Sequence, residues 1–235
     1  PMPSMGGTLL GLMLRKMKLA YKDSYEMGSQ RHVQALQDII GEVLQYEKRP
    51  EALFSKWGST THFNIVDRFG NAFNTTVSNG EGCGHMVKDT NVMMNNMLGE
   101  ASLLPDGFHN WPTDTRLSSM MSPTMVIDND GSFEMAIGTG GGSRIPAMIF
   151  QVLHYIIDHQ LPVREAVAAS RLHHEYGELN LEPDFVGKHT TREGMSVKNW
   201  DEYSMFFGGV HTILKNKGQY SAASDDRREG YVMEA

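Results

Sequence analysis

At Thr60 the hydrophobic period of the chain changes from helical to alternating, and this switch limits the fold more than any other feature. Before it, Thr8–Ala20 carries leucines and methionines at helical spacing behind the Pro/Gly/Ser stretch 1–7, which reads as a loop. The segment His32–Tyr46 places Val33, Leu36, Ile39, Ile40, Val43 and Leu44 close to an i, i+3, i+4, i+7 stripe, and Lys48-Arg49-Pro50 closes that second helix. After it, His62–Asp67 and Ala72–Val77 flank the turn Arg68-Phe69-Gly70-Asn71, a hairpin signature. A second hairpin is expected from Thr124–Asp128 and Phe133–Ile137 around Asn129-Asp130-Gly131. A glycine-rich loop follows, then a long helix over Arg144–Gln160 and a short one over Val163–Ser170 behind Pro162. Strands return at Glu178–Glu182, Gly209–Leu214 and Tyr220–Ala223. Hairpins interleaved with helices predict an α+β fold, antiparallel sheets covered by helices.

Composition removes several classes of function. At 235 residues, 40% hydrophobic, the chain is long enough to bury a sizeable core. A net charge of −7 with dispersed basic residues lacks the basic footprint that nucleic acid requires. The longest apolar runs, such as Ala147–Leu153, are far short of the roughly 20 residues of a membrane span. A single cysteine, Cys83, excludes an intrachain disulfide and a multi-cysteine zinc site but leaves the compartment open. The first residue is Pro1 and no targeting pattern follows it, so the start of the gene product is expected upstream. The seventeen methionines read as core filler.

Two places carry candidate chemistry. In Gly58-Ser59-Thr60-Thr61-His62-Phe63, cleavage before Thr60 would expose an N-terminal threonine. Such a residue holds a hydroxyl nucleophile and an α-amine of pKa about 7.7–8, so nucleophile and base are one residue. Taken alone, Ser-Thr-Thr at a strand start is also ordinary β-prone sequence. The loop Gly138-Thr139-Gly140-Gly141-Gly142-Ser143-Arg144 sits between strand and helix, where backbone N–H groups suit either an oxyanion hole or a plain flexible turn. It has neither Walker nor Rossmann spacing.

Taken together, the motifs resemble the γ-glutamyltranspeptidase family. Thr60-Thr61-His62-Phe63, Val66-Asp67 and Gly70-Asn71-Ala72 are followed by Leu117-Ser118-Ser119-Met120, Ser122-Pro123-Thr124 and Gly141-Gly142-Ser143-Arg144-Ile145, in family order. The similarity continues through Glu165–Ala169, Arg171-Leu172-His173-His174, Gly208-Gly209-Val210-His211 and Ala223-Ser224-Asp225, and Pro3-Ser4-Met5-Gly6-Gly7 is similar to a loop of the family's large subunit. The resemblance implies an N-terminal-nucleophile hydrolase of four-layer αββα architecture that cuts itself between Ser59 and Thr60. Residues 1–59 would then be the end of the large-subunit region and 60–235 the small, catalytic subunit. It implies Thr60 as nucleophile, Ser78 as its hydroxyl partner in place of a usual threonine, and Gly141 and Gly142 as oxyanion hole. Ser118 and Ser119 would hold the substrate α-carboxylate and Glu100 its α-ammonium. The substrate would be a γ-glutamyl compound such as glutathione and the acceptor water or an amine. The remainder of the large subunit is the implied partner, a homo-oligomer is left open, and no cofactor or metal is called for.

Departures from the family pattern bear on specificity. Gly80 replaces an asparagine that contacts the glutamyl group, with Asn79 beside it as the substitute, and Asn95–Glu100 differs from the usual run. The stretch between Glu100 and Arg116 is short, as in members without a lid, and Ser118–Ser122 carries one extra residue. These features keep two alternatives: an amidohydrolase for poly-γ-glutamate or an acyl-amine, and an unprocessed homologue with a binding role. Elsewhere the blander readings lead. His173 and His174 point to opposite faces of a strand and read as packing, Cys83 as an incidental thiol, and Asp225–Glu229 as a charge-paired surface patch.

Overall fold

The computed structural model describes residues 5–20, 25–45, 60–100, 103–104, 106–185, 188–189 and 193–234. Helix α1 spans Met5–Ala20 and α2 Gln30–Leu44. Helix α1 therefore starts inside the stretch read as a loop. Gly6 forms part of its first turn and donates its N–H to the Ser119 carbonyl at 3.1 Å. A Cβ on Gly6 would run into the Met120 carbonyl, so glycine lets the helix end approach that backbone. In α2 the Ser29 hydroxyl caps the first turn by accepting from His32 N–H, and the predicted stripe faces the core. The expected end of this helix at Tyr46 lies outside the described residues.

Both predicted hairpins form. Strand β1 (Thr60–Val66) pairs antiparallel with β2 (Ala72–Ser78) in a register that sets Thr60 opposite Ser78. The Asp67 carboxylate closes their turn by accepting from the N–H groups of Phe69 (2.8 Å) and Asn71 (2.9 Å), and Gly70 takes φ +85°. After β3 (Met86–Val87) and β4 (Val92–Met93), β5 (Thr124–Ile127) and β6 (Phe133–Gly138) make the second hairpin around Gly131 at φ +84°. Helix α3 runs Ile145–Ile157, shorter at both ends than predicted: Gly142–Arg144 form a 3₁₀ turn ahead of Pro146. Helix α4 covers Val163–Ala168. Strands β7 (Leu172–Glu175), β8 (Glu178–Leu181), β9 (Ser196–Asn199), β10 (His211–Asn216) and β11 (Gln219–Ala223) complete the order.

The fold is α+β with mainly antiparallel sheets. A four-stranded sheet has the order β11-β10-β6-β5, and β7-β8-β9 is a separate sheet in which β8 and β9 run parallel, a pairing the hairpin pattern does not predict. Helix α1 packs between α2 and α3, α2 lies on β7, and the β1–β2 hairpin rests against β6 and β10. The core joins α1, α2 and α3 to β6, β7 and β8. Met13, Met17, Met135 and Met148 fill it as expected, but Met86, Met93, Met94 and Met125 are exposed, so methionine is not uniformly core filler here. Among the described residues no helix is long and apolar enough to cross a membrane.

Candidate active site

The β1–β2 hairpin turns its polar side inward. Thr60 and His62 are buried and Asn64 half-buried, whereas Phe63, Ile65, Phe73 and Val77 on the other face are 41%, 56%, 56% and 50% exposed. The inward groups find partners in the sheet beneath. Asn64 Nδ2 donates to the His211 carbonyl at 3.0 Å, and Asn74 Nδ2 donates to the Thr124 carbonyl at 3.0 Å. His62 Nδ1 lies 2.8 Å from Thr76 Oγ1 and Nε2 3.1 Å from Asn64 Oδ1. Burial pushes His62 down to about 4 against the opposing Asn64 hydrogen bond, and the stacked His211 ring adds to the fall, so His62 is neutral near pH 7.

The register brings Thr60 and Ser78 together. Thr60 Oγ1 donates to Ser78 Oγ at 3.0 Å, and the same oxygen accepts from Gly80 N–H at 3.0 Å. The acceptor lone pairs of Ser78 are thereby occupied by a hydroxyl and an amide. A serine hydroxyl is far too weak a base to deprotonate Thr60, so Ser78 orients the Thr60 O–H rather than activating it. Thr60 opens onto a cavity of about 360 Å³ lined by Thr61, His62, Gly140, Met205, Gly209, His211, Arg227 and Arg228 among others.

Glycines let backbone pack tightly around this point. A side chain on Gly138 would strike the His62 ring, and one on Gly140 would strike the Thr60 carbonyl oxygen. The next two residues, Gly141 at φ +141° and Gly142 at φ +61°, take conformations that L side chains rarely adopt. Thr139 Oγ1 ties this loop to its neighbour by donating to the Gly140 carbonyl and accepting from Gly209 N–H at 2.8 Å.

Beside Thr60 stand charges that the sequence reading underrated. Asp225–Glu229 is not a surface patch, because Asp225 is buried and anchors a network. Arg171 Nη2 meets Asp225 Oδ2 at 2.7 Å, Arg227 Nη2 meets Glu182 Oε2 at 2.6 Å, and Val210 N–H donates to Asp225 at 2.9 Å. Burial works against the Asp225 carboxylate, yet Arg171, Arg227 and the two backbone donors hold it below its ordinary value. This network presents Arg228, whose Nη1 donates to the Thr60 carbonyl at 3.2 Å. Gly209 gives the Arg228 stem room, since any Cβ there would meet its methylenes. The available signal was the pair Gly208-Gly209 ahead of a charged run near the end of the chain, but no local pattern ties those residues to Thr60.

Residues 22–235 match the sequence model of the family described as gamma-glutamyltranspeptidase. The chain belongs to the γ-glutamyltranspeptidase family. It is 41% identical over 128 residues to a glutathione hydrolase proenzyme of Pseudomonas aeruginosa, covering 49% of this chain and 23% of that protein. It is 28% identical over 216 residues to the capsule biosynthesis protein CapD proenzyme of Bacillus anthracis, covering 88% and 38%. Among solved structures, a γ-glutamyltranspeptidase from Pseudomonas nitroreducens superposes with a TM-score of 0.61 at 30% identity, covering 74% of this chain and 99% of that one. The chain thus spans well under half the length of these curated relatives.

In this family member the expected site residues fall into two groups. Thr60, Ser78 and the glycine loop meet at one point, through the Thr60–Ser78 hydrogen bond and the Gly140–Thr60 contact. Close by, a Cβ on Gly80 would lie 2.5 Å from both Asn96 Oδ1 and Glu100 Oε1. The space that a family asparagine side chain would take is therefore filled by Asn96 and Glu100. Asn79 is exposed, and its carbonyl accepts from the N–H groups of Gly82 and Asn96. Ser119 is tied to α1 through Gly6, and its hydroxyl accepts from Met121 N–H at 3.1 Å. Ser118 is half-buried on the same segment. Ser59 lies outside the described residues. His173 and His174 are packing residues as read: His173 Nε2 meets Glu175 at 2.9 Å, and His174 Nδ1 meets the Gln37 carbonyl at 3.1 Å.

Proposed function

We propose that this chain supplies the catalytic half of an N-terminal-nucleophile enzyme that hydrolyses or transfers γ-glutamyl amides, with Thr60 as nucleophile. The observation that carries the reading is the pair Thr60 Oγ1–Ser78 Oγ at 3.0 Å, oriented by Gly80 N–H, with Thr60 itself lining a cavity beside Arg228. While Thr60 remains joined to Ser59 it has no α-amine, and no other base touches its hydroxyl among the described residues. Cleavage of the Ser59–Thr60 bond supplies that base. The Thr60 hydroxyl attacks the Ser59 carbonyl, the resulting ester is hydrolysed, and the free amine appears on Thr60.

In turnover the amine takes the hydroxyl proton as Oγ1 attacks the γ-carbonyl. The N–H groups of Gly141 and Gly142 receive the oxyanion, and collapse expels the amine, which leaves with the proton from the Thr60 ammonium. Water or an acceptor amine reverses the steps on the γ-glutamyl ester. Glu100, held beside Gly80, suits the substrate α-ammonium, and Ser118 and Ser119 its α-carboxylate. Residues 1–59 belong in this reading to the large-subunit region and 60–235 to the small subunit. The exposed apolar face of Phe63, Ile65, Phe73 and Val77 is where the rest of the large subunit completes an αββα sandwich.

The filled space at Gly80 favours one second reading. With Asn96 and Glu100 where a side chain would have gripped a free glutamyl group, and with a short Glu100–Arg116 segment, a γ-linked polyglutamate chain becomes a candidate substrate.

The test is to incubate the full precursor and its Thr60→Ala variant near neutral pH and follow mass and N-terminal sequence. Products are then challenged with a γ-glutamyl-directed electrophile. The expected result is a fragment beginning Thr60-Thr61-His62 that is labelled on Thr60, and an uncut variant with at least about 10⁴-fold less activity, the scale on which loss of a nucleophile is felt. A folded wild-type precursor that stays whole and unlabelled makes the chain a binding homologue instead.

A further inference from the structure

Three histidines far apart in sequence meet away from Thr60. His32 lies in the first turn of α2, His154 in the last turn of α3, and His159 just beyond it. The Nε2 atoms of His32 and His159 each lie 3.2 Å from His154 Nε2, and one ligand atom from each ring falls within 4.8 Å of the others. We propose that His32, His154 and His159 form a binding site for a divalent first-row transition-metal ion of the zinc, cobalt or nickel kind.

Geometry makes the first argument. Nitrogens bound at about 2.0–2.1 Å to a tetrahedral zinc stand about 3.3 Å from one another, close to the two 3.2 Å spacings about His154 Nε2, and the third pair stays within 4.8 Å.

Protonation makes the second. Asp158 Oδ2 lies 2.6 Å from His154 Nδ1, so the carboxylate holds the proton there and leaves the Nε2 lone pair pointing at its neighbours. This is the carboxylate–histidine arrangement that orients metal ligands. Gly28 N–H donates to His32 Nδ1 at 2.9 Å, so a neutral His32 carries its own proton on Nε2, toward His154. The His32 and His159 Nε2 atoms thus both converge on the His154 Nε2 lone pair. A cation would take all three nitrogens as ligands. His32 must first move its Nε2 proton to Nδ1 or release it, giving up the Gly28 bond.

Burial lowers all three side chains from their ordinary value, and mutual repulsion adds to this for His32 and His159. They are therefore neutral ligands near pH 7. Stacking of Phe150 on His154 fixes the central ring, and half-buried His159 leaves one side of the site open for water as a fourth ligand. Imidazole donors without thiolates or clustered carboxylates favour zinc, cobalt, nickel or copper over magnesium or calcium. His32 precedes Ser59–Thr60 and the other two follow it. On the proposed function, though not otherwise, the ion would hold the two cleavage products together.

The experiment is a cobalt(II) titration of the chelator-stripped full chain, read by visible absorption and thermal midpoint. One cobalt per chain with the intense bands of tetrahedral coordination and a raised midpoint is expected. His159→Gln, at the half-buried ligand, should keep its circular dichroism and lose both signals, and Asp158→Asn should weaken binding about 10–100-fold. Thr60→Ala should bind cobalt as the wild type does, so failure of autocleavage leaves this site standing. Absence of saturable binding, or equal tetrahedral binding by folded His159→Gln, overturns it.

Discussion

The β1–β2 hairpin and helix α3 solve opposite problems. Helix α3 is apolar nearly all round, Ile145 through Ile156 are buried, and its one internal amide, Gln151, satisfies both backbone groups of Leu172 at 2.9 and 3.0 Å. The hairpin is inverted, hiding Thr60, His62 and Asn64 while four large apolar side chains face out. A buried apolar helix draws its stability from area removed from water. A buried polar strand face must instead match every donor with an acceptor, and the cost of a mismatch is what holds Thr60 against Ser78 in one geometry. Stability is concentrated in the first element and positional accuracy in the second.

The contrast is broken most directly by a pair of phenylalanine truncations. Phe150→Ala in α3 should cost about 3–5 kcal/mol in urea unfolding, whereas Phe73→Ala on the outer hairpin face should stay within about 0.5 kcal/mol. A comparable loss at Phe73 in a preparation containing the rest of the large subunit would show that this face is covered there.

Acid sharpens it next. The His62 imidazole is held neutral down to about pH 4 in the fold but protonates near 6.5 when unfolded, so the unfolded state binds more protons between those values. Its contribution is complete above pH 6.5 and is lost as pH falls toward 4, on the order of 3 kcal/mol. Urea midpoints measured across this range should fall more steeply for the wild type than for His62→Asn. Parallel slopes would remove His62 as the cause.

A smaller loss of stability than at Phe150 should come from Gly140→Ala. Its new Cβ meets the Thr60 carbonyl, which belongs to backbone and can give only by shifting the strand. A loss of about 1–3 kcal/mol is expected, with activity falling by more than stability explains because Thr60 is displaced. Unchanged activity in the folded variant would show that the loop has slack that its packing conceals.

Much of this molecule is legible in its sequence because the signals are local. Arg68–Asn71 and Asn129–Gly131 mark their turns, the stripe of α2 marks its buried face, and the strand start at Thr60 is visible because the hydrophobic period changes there. Gly6 in a helix was not legible, since a Gly-Gly pair is locally a breaker and only the Met120 backbone against it explains the choice. Nor was the parallel pairing of β8 and β9, which no hairpin turn announces.

What only the tertiary structure decided are contacts between residues whose separation carries no pattern. Arg228 reaches the Thr60 carbonyl across 168 positions, and His32 reaches His154 across 122. Asp225 becomes the anchor of a buried ion network rather than part of a solvated charge run because α4, β8 and the end of β11 converge around Arg171 and Arg227. Periodicity and turn chemistry act over a few residues and determine elements. The surroundings of a charge or a ring nitrogen depend on which elements pack together, and that is settled by the core as a whole.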